Sequence, residues 1–132
     1  MNGGLRWKAR TVGAALGLPL VLLVLAPARV AGWIARRRPA RDPAPPDTDL
    51  AEWTDRVLLR LPPPWRRTCL RRAVVLHYLL RRAGRPAALH LGVRRDDRGA
   101  LDAHAWLSRD GQPVLEPPAV PFAYQVLASF GP

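Results

Sequence analysis

The chain has 132 residues, a net charge of +11 and one cysteine, Cys69. A single thiol excludes an intramolecular disulfide and the usual several-cysteine zinc sites. The charge is almost all arginine, and no zinc-finger spacing, Gly-rich phosphate loop or aromatic RNA-binding motif accompanies it, so no nucleic-acid partner is expected.

The first element is apolar. Residues 11–28 carry no charge and are dominated by Leu, Val, Ala and Gly, which is about the minimum length for a spanning helix. Basic residues flank it on both sides (Arg6, Lys8 and Arg10 before, Arg29 and Arg36-Arg37-Arg38 after), so the positive-inside rule gives no orientation. Pro19 and Pro27 would kink or stop a helix. The stretch also has the layout of a signal peptide, with Ala26-Pro27-Ala28 resembling a cleavage site. A retained helix, a membrane span and a cleaved signal are therefore three readings of one segment. Residues 39–46, rich in proline, read as a semi-rigid linker. Residues 49–61 then read as a helix with Leu50, Trp53, Val57 and Leu58 or Leu61 on its apolar side, expected to pack on the helix that follows.

Pro62-Pro63-Pro64 ends that helix, and Thr68 is a candidate N-cap for the next, with Cys69 in its first turn. From Leu70 to Ala83 there is no proline or glycine, and Gly84 reads as the C-terminal stop. Leu70, Ala73, Val74, His77 and Leu80, or Leu76, Leu79 and Ala83, recur at helical spacing, with Arg71, Arg72, Arg81 and Arg82 on the wetter side. Residues 86–94 alternate around Leu89, Leu91 and Val93 as a strand, and residues 96–99 form a turn cluster. A second strand over 101–108 places His104 and Trp106 opposite Ala103, Ala105 and Leu107. Arg109-Asp110-Gly111 is a hairpin signal, and Val114-Leu115-Glu116 a short third strand stopped by Pro117-Pro118.

Cys69 has two readings, a small core residue or a nucleophile. Burial is the common fate of a free cysteine. A helix N-terminus with arginines nearby instead favours thiolate. A histidine strand and an acid twelve residues further on complete the order that thiol catalysis needs: Cys on a helix, then His, then Glu.

Four segments carry a resemblance: Cys69-Leu70-Arg71-Arg72-Ala73, Leu79-Leu80-Arg81-Arg82-Ala83-Gly84, Leu89-His90-Leu91-Gly92-Val93 and Ala103-His104-Ala105-Trp106-Leu107. Together, over roughly Leu50 to Glu116, they resemble the papain-like, transglutaminase-type cysteine peptidases. More narrowly they are similar to the small leader peptidases of lasso-peptide biosynthesis, the B2 proteins. The resemblance implies an α+β fold with a Cys-bearing helix, a short antiparallel sheet carrying His and the acid, and an apolar N-terminal helix. The expected division is an arm over 1–38, a linker over 39–48 and a peptidase domain over 49–132.

By the same resemblance Cys69 is the nucleophile, His104 the general base and acid, and Glu116 stands where the family usually has Asp. Asp110 is the rival, although its turn context argues against it. A second oxyanion donor, beside the Cys69 backbone N–H, is sought within residues 65–68. No metal or organic cofactor is implied. The implied partners are the leader of a precursor peptide, a separate leader-binding B1-type protein and an asparagine-synthetase-like cyclase. The setting is cytoplasmic, with the N-terminal helix retained against the domain, a partner or a membrane face. A generic amidase or acyltransferase and a basic, non-enzymatic membrane-associated adaptor are the alternatives.

The other polar residues have ordinary readings. His77 lies about 12 Å along the helix from Cys69, too far to bond it, and is expected to pack. His90 suits a satisfied surface or core role, Asp102 a strand end, and Trp106 packing beneath the site.

Overall fold

A computed structural model describes residues 3–62, 68–117 and 119–131. The segment 65–67, in which the second oxyanion donor was sought, and the strand stop at Pro118 lie outside the described residues. The elements are α1 (Gly3–Leu22), α2 (Pro27–Ala35), α3 (Asp47–Arg60), α4 (Cys69–Arg82), β1 (Ala88–Arg95), β2 (Leu101–Arg109), β3 (Gln112–Val114), α5 (Ala119–Phe122) and β4 (Gln125–Phe130). The strands form one antiparallel sheet in the order β3-β2-β1-β4. The class is α+β, with Cys69 on a helix and His104 in a short antiparallel sheet, as the resemblance implies.

Helix α4 is the centre of the molecule. Ala73, Val74, Val75, Leu76, Leu79 and Leu80 are all buried, a spread that covers more than one face of a helix. One side packs on β1 and β2, and the other on α1, α2 and α3. Trp7 of α1, Ile34 of α2, Leu50 of α3, Leu89 of β1 and Leu107 of β2 join it in a single apolar cluster. Burial at this level stabilises by about 1.5–3 kcal/mol per large side chain. Its C-terminus closes as the Gly84 signal predicts. Gly84 has φ 76°, the Arg85 N–H donates to the Leu80 carbonyl and the Gly84 N–H to that of Arg81, the paired bonds of a Schellman motif.

The N-terminal apolar segment is two helices rather than the single apolar helix that the resemblance implies. Pro27 forces Ala26 out of the helical region, to ψ 149°, and then starts α2 at a position where its missing N–H costs nothing. Pro19, by contrast, is accommodated inside α1. No described helix is long and apolar enough to cross a membrane. The proline-rich linker is fastened to the ends of the elements around it. Arg81 and Arg82 donate to the carbonyls of Arg37 and Arg38, and Asp47 accepts from Arg85 at 2.7 Å and Arg109 at 2.8 Å. Burial pushes the Asp47 carboxyl up, but the hydrogen bonds and charges of Arg109 and Arg85 outweigh it and hold it below the usual carboxylate range.

Register follows alternation. Leu89 pairs with Leu107 and Leu91 with Ala105 on the face toward α4, while His90 pairs with Trp106 and Gly92 with His104 on the other. Gly92 is required by packing. A Cβ there would lie 2.9 Å from the Trp106 ring and from the Gln125 carbonyl, so only glycine lets the indole cross β1. Asp110 (φ 54°) and Gly111 (φ 79°) make the two-residue turn joining β2 to β3, as Arg109-Asp110-Gly111 predicts.

His77 is 4 % exposed, and burial, with the Arg81 charge added, pushes its pKa down to about 4, against a smaller opposing effect of an Ala87 backbone hydrogen bond. The folded state therefore holds a neutral imidazole that the unfolded chain protonates below its ordinary value of 6.5. Its contribution is complete above that value and is lost as pH falls toward 4, about 3 kcal/mol in all. Denaturant unfolding at pH 5 and pH 7.5 should show wild type losing more stability on acidification than His77→Leu. Equal losses would mean that His77 carries no such linkage.

Candidate active site

The α4 N-terminus is built as its sequence predicts. Thr68 is the N-cap, its hydroxyl accepting from the Arg71 N–H at 3.3 Å, so the helix begins at Cys69 and directs its first N–H groups into the site. The Cys69 Sγ lies 3.9 Å from the Ala103 carbonyl, at the residue before His104. Cys69, His104 and Glu116 line one cavity of about 420 Å3, together with Arg72, Trp106 and Leu59.

His104 and Glu116 are in direct contact. The imidazole Nε2 sits 2.8 Å from Glu116 Oε2, with the two side chains 16 % and 15 % exposed. This leaves Nδ1 as the nitrogen that can serve a thiol. Cys69 does not hydrogen-bond His104 in this arrangement; its contact is the Ala103 carbonyl. Catalytic hydrogen bonds commonly tighten only around substrate.

Glu116 reaches the histidine differently from the expectation. β3 ends at Val114, so the acid stands beyond the strand rather than on it. Leu115 has φ 64°, unusual for a leucine, and the chain turns there before Glu116. The Leu115 carbonyl accepts from Arg72 Nη2 at 3.2 Å, and the same guanidinium binds Asp55 of α3 through Nε at 2.7 Å. Asp110, the rival acid, sits in the β2–β3 turn.

Two aromatic rings adjoin His104, Trp106 stacked on it and Tyr124 tilted against it. Trp106 lies 5.7 Å away at 16°, and Tyr124 5.1 Å away at 33°. The Tyr124 hydroxyl donates to Asp102 at 2.8 Å, and Arg94 also binds Asp102, at 3.1 Å. Burial, followed by the Asp102 bond, raises the Tyr124 pKa against a smaller opposing effect of the Arg94 charge. The Tyr124 hydrogen bond, with Arg94, outweighs desolvation and holds the Asp102 carboxyl below its usual range. Asp102 thus does more than end a strand. His90 has the satisfied role expected of it, its two nitrogens lying 2.7 Å from Ser129 and 2.6 Å from Ser108. Among the described residues no cluster of three or more His, Cys, Asp or Glu side chains is placed to hold a metal.

A helix-borne thiol, a strand histidine and an acid on its far nitrogen are the elements of thiol acyl transfer. The family model of the transglutaminase-like superfamily matches residues 14–129, almost the whole chain. The protein belongs to the transglutaminase-like superfamily. No curated protein and no solved structure gives a significant match. Membership supports chemistry of the cysteine-peptidase or transglutaminase type, as hydrolase or acyltransferase.

Sequence reasoning missed Arg72, Asp55 and Tyr124. Arg72 reads as one of four arginines on a helix, and only the three-dimensional path of Leu115 makes it distinct. The run from Tyr124 to Phe130 carries no clean alternation, so β4 and the ring over His104 give little signal.

Proposed function

We propose that this transglutaminase-like protein is a cysteine peptidase that removes the leader from a ribosomally made lasso-peptide precursor. The observation that carries the catalytic part is the 2.8 Å contact between His104 and Glu116, in a cavity shared with Cys69 at a helix start. The lasso-precursor part rests on the order and spacing of the four motif segments from Cys69 to Leu107.

In this reading His104 Nδ1 takes the Cys69 proton, and the thiolate attacks the carbonyl of the scissile peptide. The Cys69 N–H at the helix start stabilises the oxyanion. His104 then protonates the leaving amine as the thioester forms. Water, deprotonated by His104, adds to the thioester, and the thiol departs as the leader acid is released. Glu116 holds Nε2 and stabilises the imidazolium between these steps. The partners are the precursor leader, a B1-type leader-binding protein and an asparagine-synthetase-like cyclase; the setting is the cytoplasm, where a new precursor is found.

The test is mass spectrometry of the precursor encoded nearby, incubated with this protein and the leader-binding partner. The expected result is one cut at the leader junction, abolished by Cys69→Ala. Cleavage that survives Cys69→Ala removes the mechanism. An alkylatable Cys69 that cuts no precursor, yet turns over simple amides or transfers acyl groups to amines, would replace the peptidase with an amidase or acyltransferase.

A further inference from the structure

From Thr11 onward helix α1 is uncharged and largely apolar on both sides, although the fold buries only one. Trp7, Thr11, Ala14, Ala15 and Leu18 are buried, each 8 % exposed or less. Val12 and Leu20 of the same helix are 42 % and 41 % exposed, and beyond it Leu23, Val24 and Leu25 reach 60 %, 83 % and 39 %. Leaving such aliphatic surface in water is unfavourable by about 25 cal/mol for each Å2. An apolar half-helix with one side left in water calls for a further apolar surface to cover it.

A second observation lies on the neighbouring helix. Trp33 of α2 is 47 % exposed, stacked on Tyr78, with the Arg37 guanidinium 4.5 Å from its ring centroid. Between the helices runs a groove of about 330 Å3, lined by Gly13, Gly17 and Val21 of α1 and by Trp33 and Tyr78. A Cβ at either glycine would meet nothing within 4 Å, so the groove has spare room.

Charge identifies the occupant. Residues 1–41 hold eight cations and no acid, leaving only +3 for the remainder of the chain. Arg6 and Arg10 are taken up by Asp42, but Arg29, Arg36, Arg38 and Arg41 are exposed. The aliphatic tip is Leu and Val, types under-represented in protein-binding hot spots. A tryptophan capped by arginine beside an aliphatic wedge suits a headgroup boundary, where the ring sits at the interface and the guanidinium reaches phosphate.

We propose that the α1–α2 corner docks on an anionic phospholipid bilayer, with Leu23, Val24 and Leu25 entering the interface and the arginines of 29–41 meeting lipid phosphates. The protein lies on the membrane and does not span it. The proposal stands independently of the peptidase reading.

The experiment is flotation of the full chain with phosphatidylcholine vesicles, with and without phosphatidylglycerol. The protein should float with the mixed vesicles only and be released in about 1 M salt, where charge is screened within a few Å. Leu23→Asp with Val24→Asp should weaken binding by about tenfold or more, since two apolar side chains that would enter the interface are replaced by charges, with an unchanged unfolding midpoint. Arg36→Gln with Arg38→Gln should also weaken it. No flotation, or flotation indifferent to the tip variant, overturns the proposal. So does a vesicle-independent oligomer that the tip variant dissolves, which would make this corner a contact between copies.

Discussion

Replacing His104 by alanine should lower kcat/KM for precursor cleavage by about a thousandfold or more, the usual scale of a lost general base in a thiol or serine mechanism. Iodoacetamide modification of Cys69 should slow in the same variant, because no other histidine lines the cavity to take the thiol proton among the described residues. The Glu116 variants separate orientation from charge. Glu116→Gln keeps a carbonyl oxygen that can accept from Nε2–H at the 2.8 Å position, so a loss of about tenfold is expected. Glu116→Ala removes the orienting bond as well as the charge and should cost about a hundredfold. If Gln were as damaging as Ala, the negative charge itself would be the contribution. If neither changed the rate, Glu116 would have no part in the reaction and His104 would need another partner.

The sequence carries the catalytic order more clearly than the geometry that realises it. Thr68, Cys69 and Gly84 announce α4 because capping chemistry is local, and both ends form as their residues require. The β1–β2 pair is equally legible, since a two-residue alternation fixes which face each side chain takes. Glu116 is located by its distance from His104, but the route is hidden. It depends on a leucine at positive φ and on an arginine 43 residues earlier, neither of which local propensity favours or marks. The split of the N-terminal segment was written in Pro27, whose effect on Ala26 is short-range. Tyr124 was not, because its place over His104 is set by β4 joining β1 across a register shift between Leu91 and Gly92. What long-range pairing decides, short-range pattern does not display.

Arg72 is therefore the position where a variant tells most about the site without touching the reaction. Its guanidinium spans Asp55 and the Leu115 carbonyl, and so holds the turn that delivers Glu116 to His104. Arg72→Met leaves that carbonyl without its side-chain donor and takes a cation from Asp55, with an expected stability loss of about 1–3 kcal/mol by denaturant unfolding. The catalytic effect should exceed what stability alone produces, with kcat about tenfold to a hundredfold lower and KM little changed. Arg72→Lys should rescue poorly, because one ammonium cannot reproduce a planar fork bonded in two directions. The deciding measurement is a double-mutant cycle. If Arg72 acts through Glu116, the pair Arg72→Met and Glu116→Ala should be no slower than Glu116→Ala alone, since the second change has nothing left to misplace. Multiplied losses would show that Arg72 serves the site by another route, such as contact with substrate in the cavity it also lines.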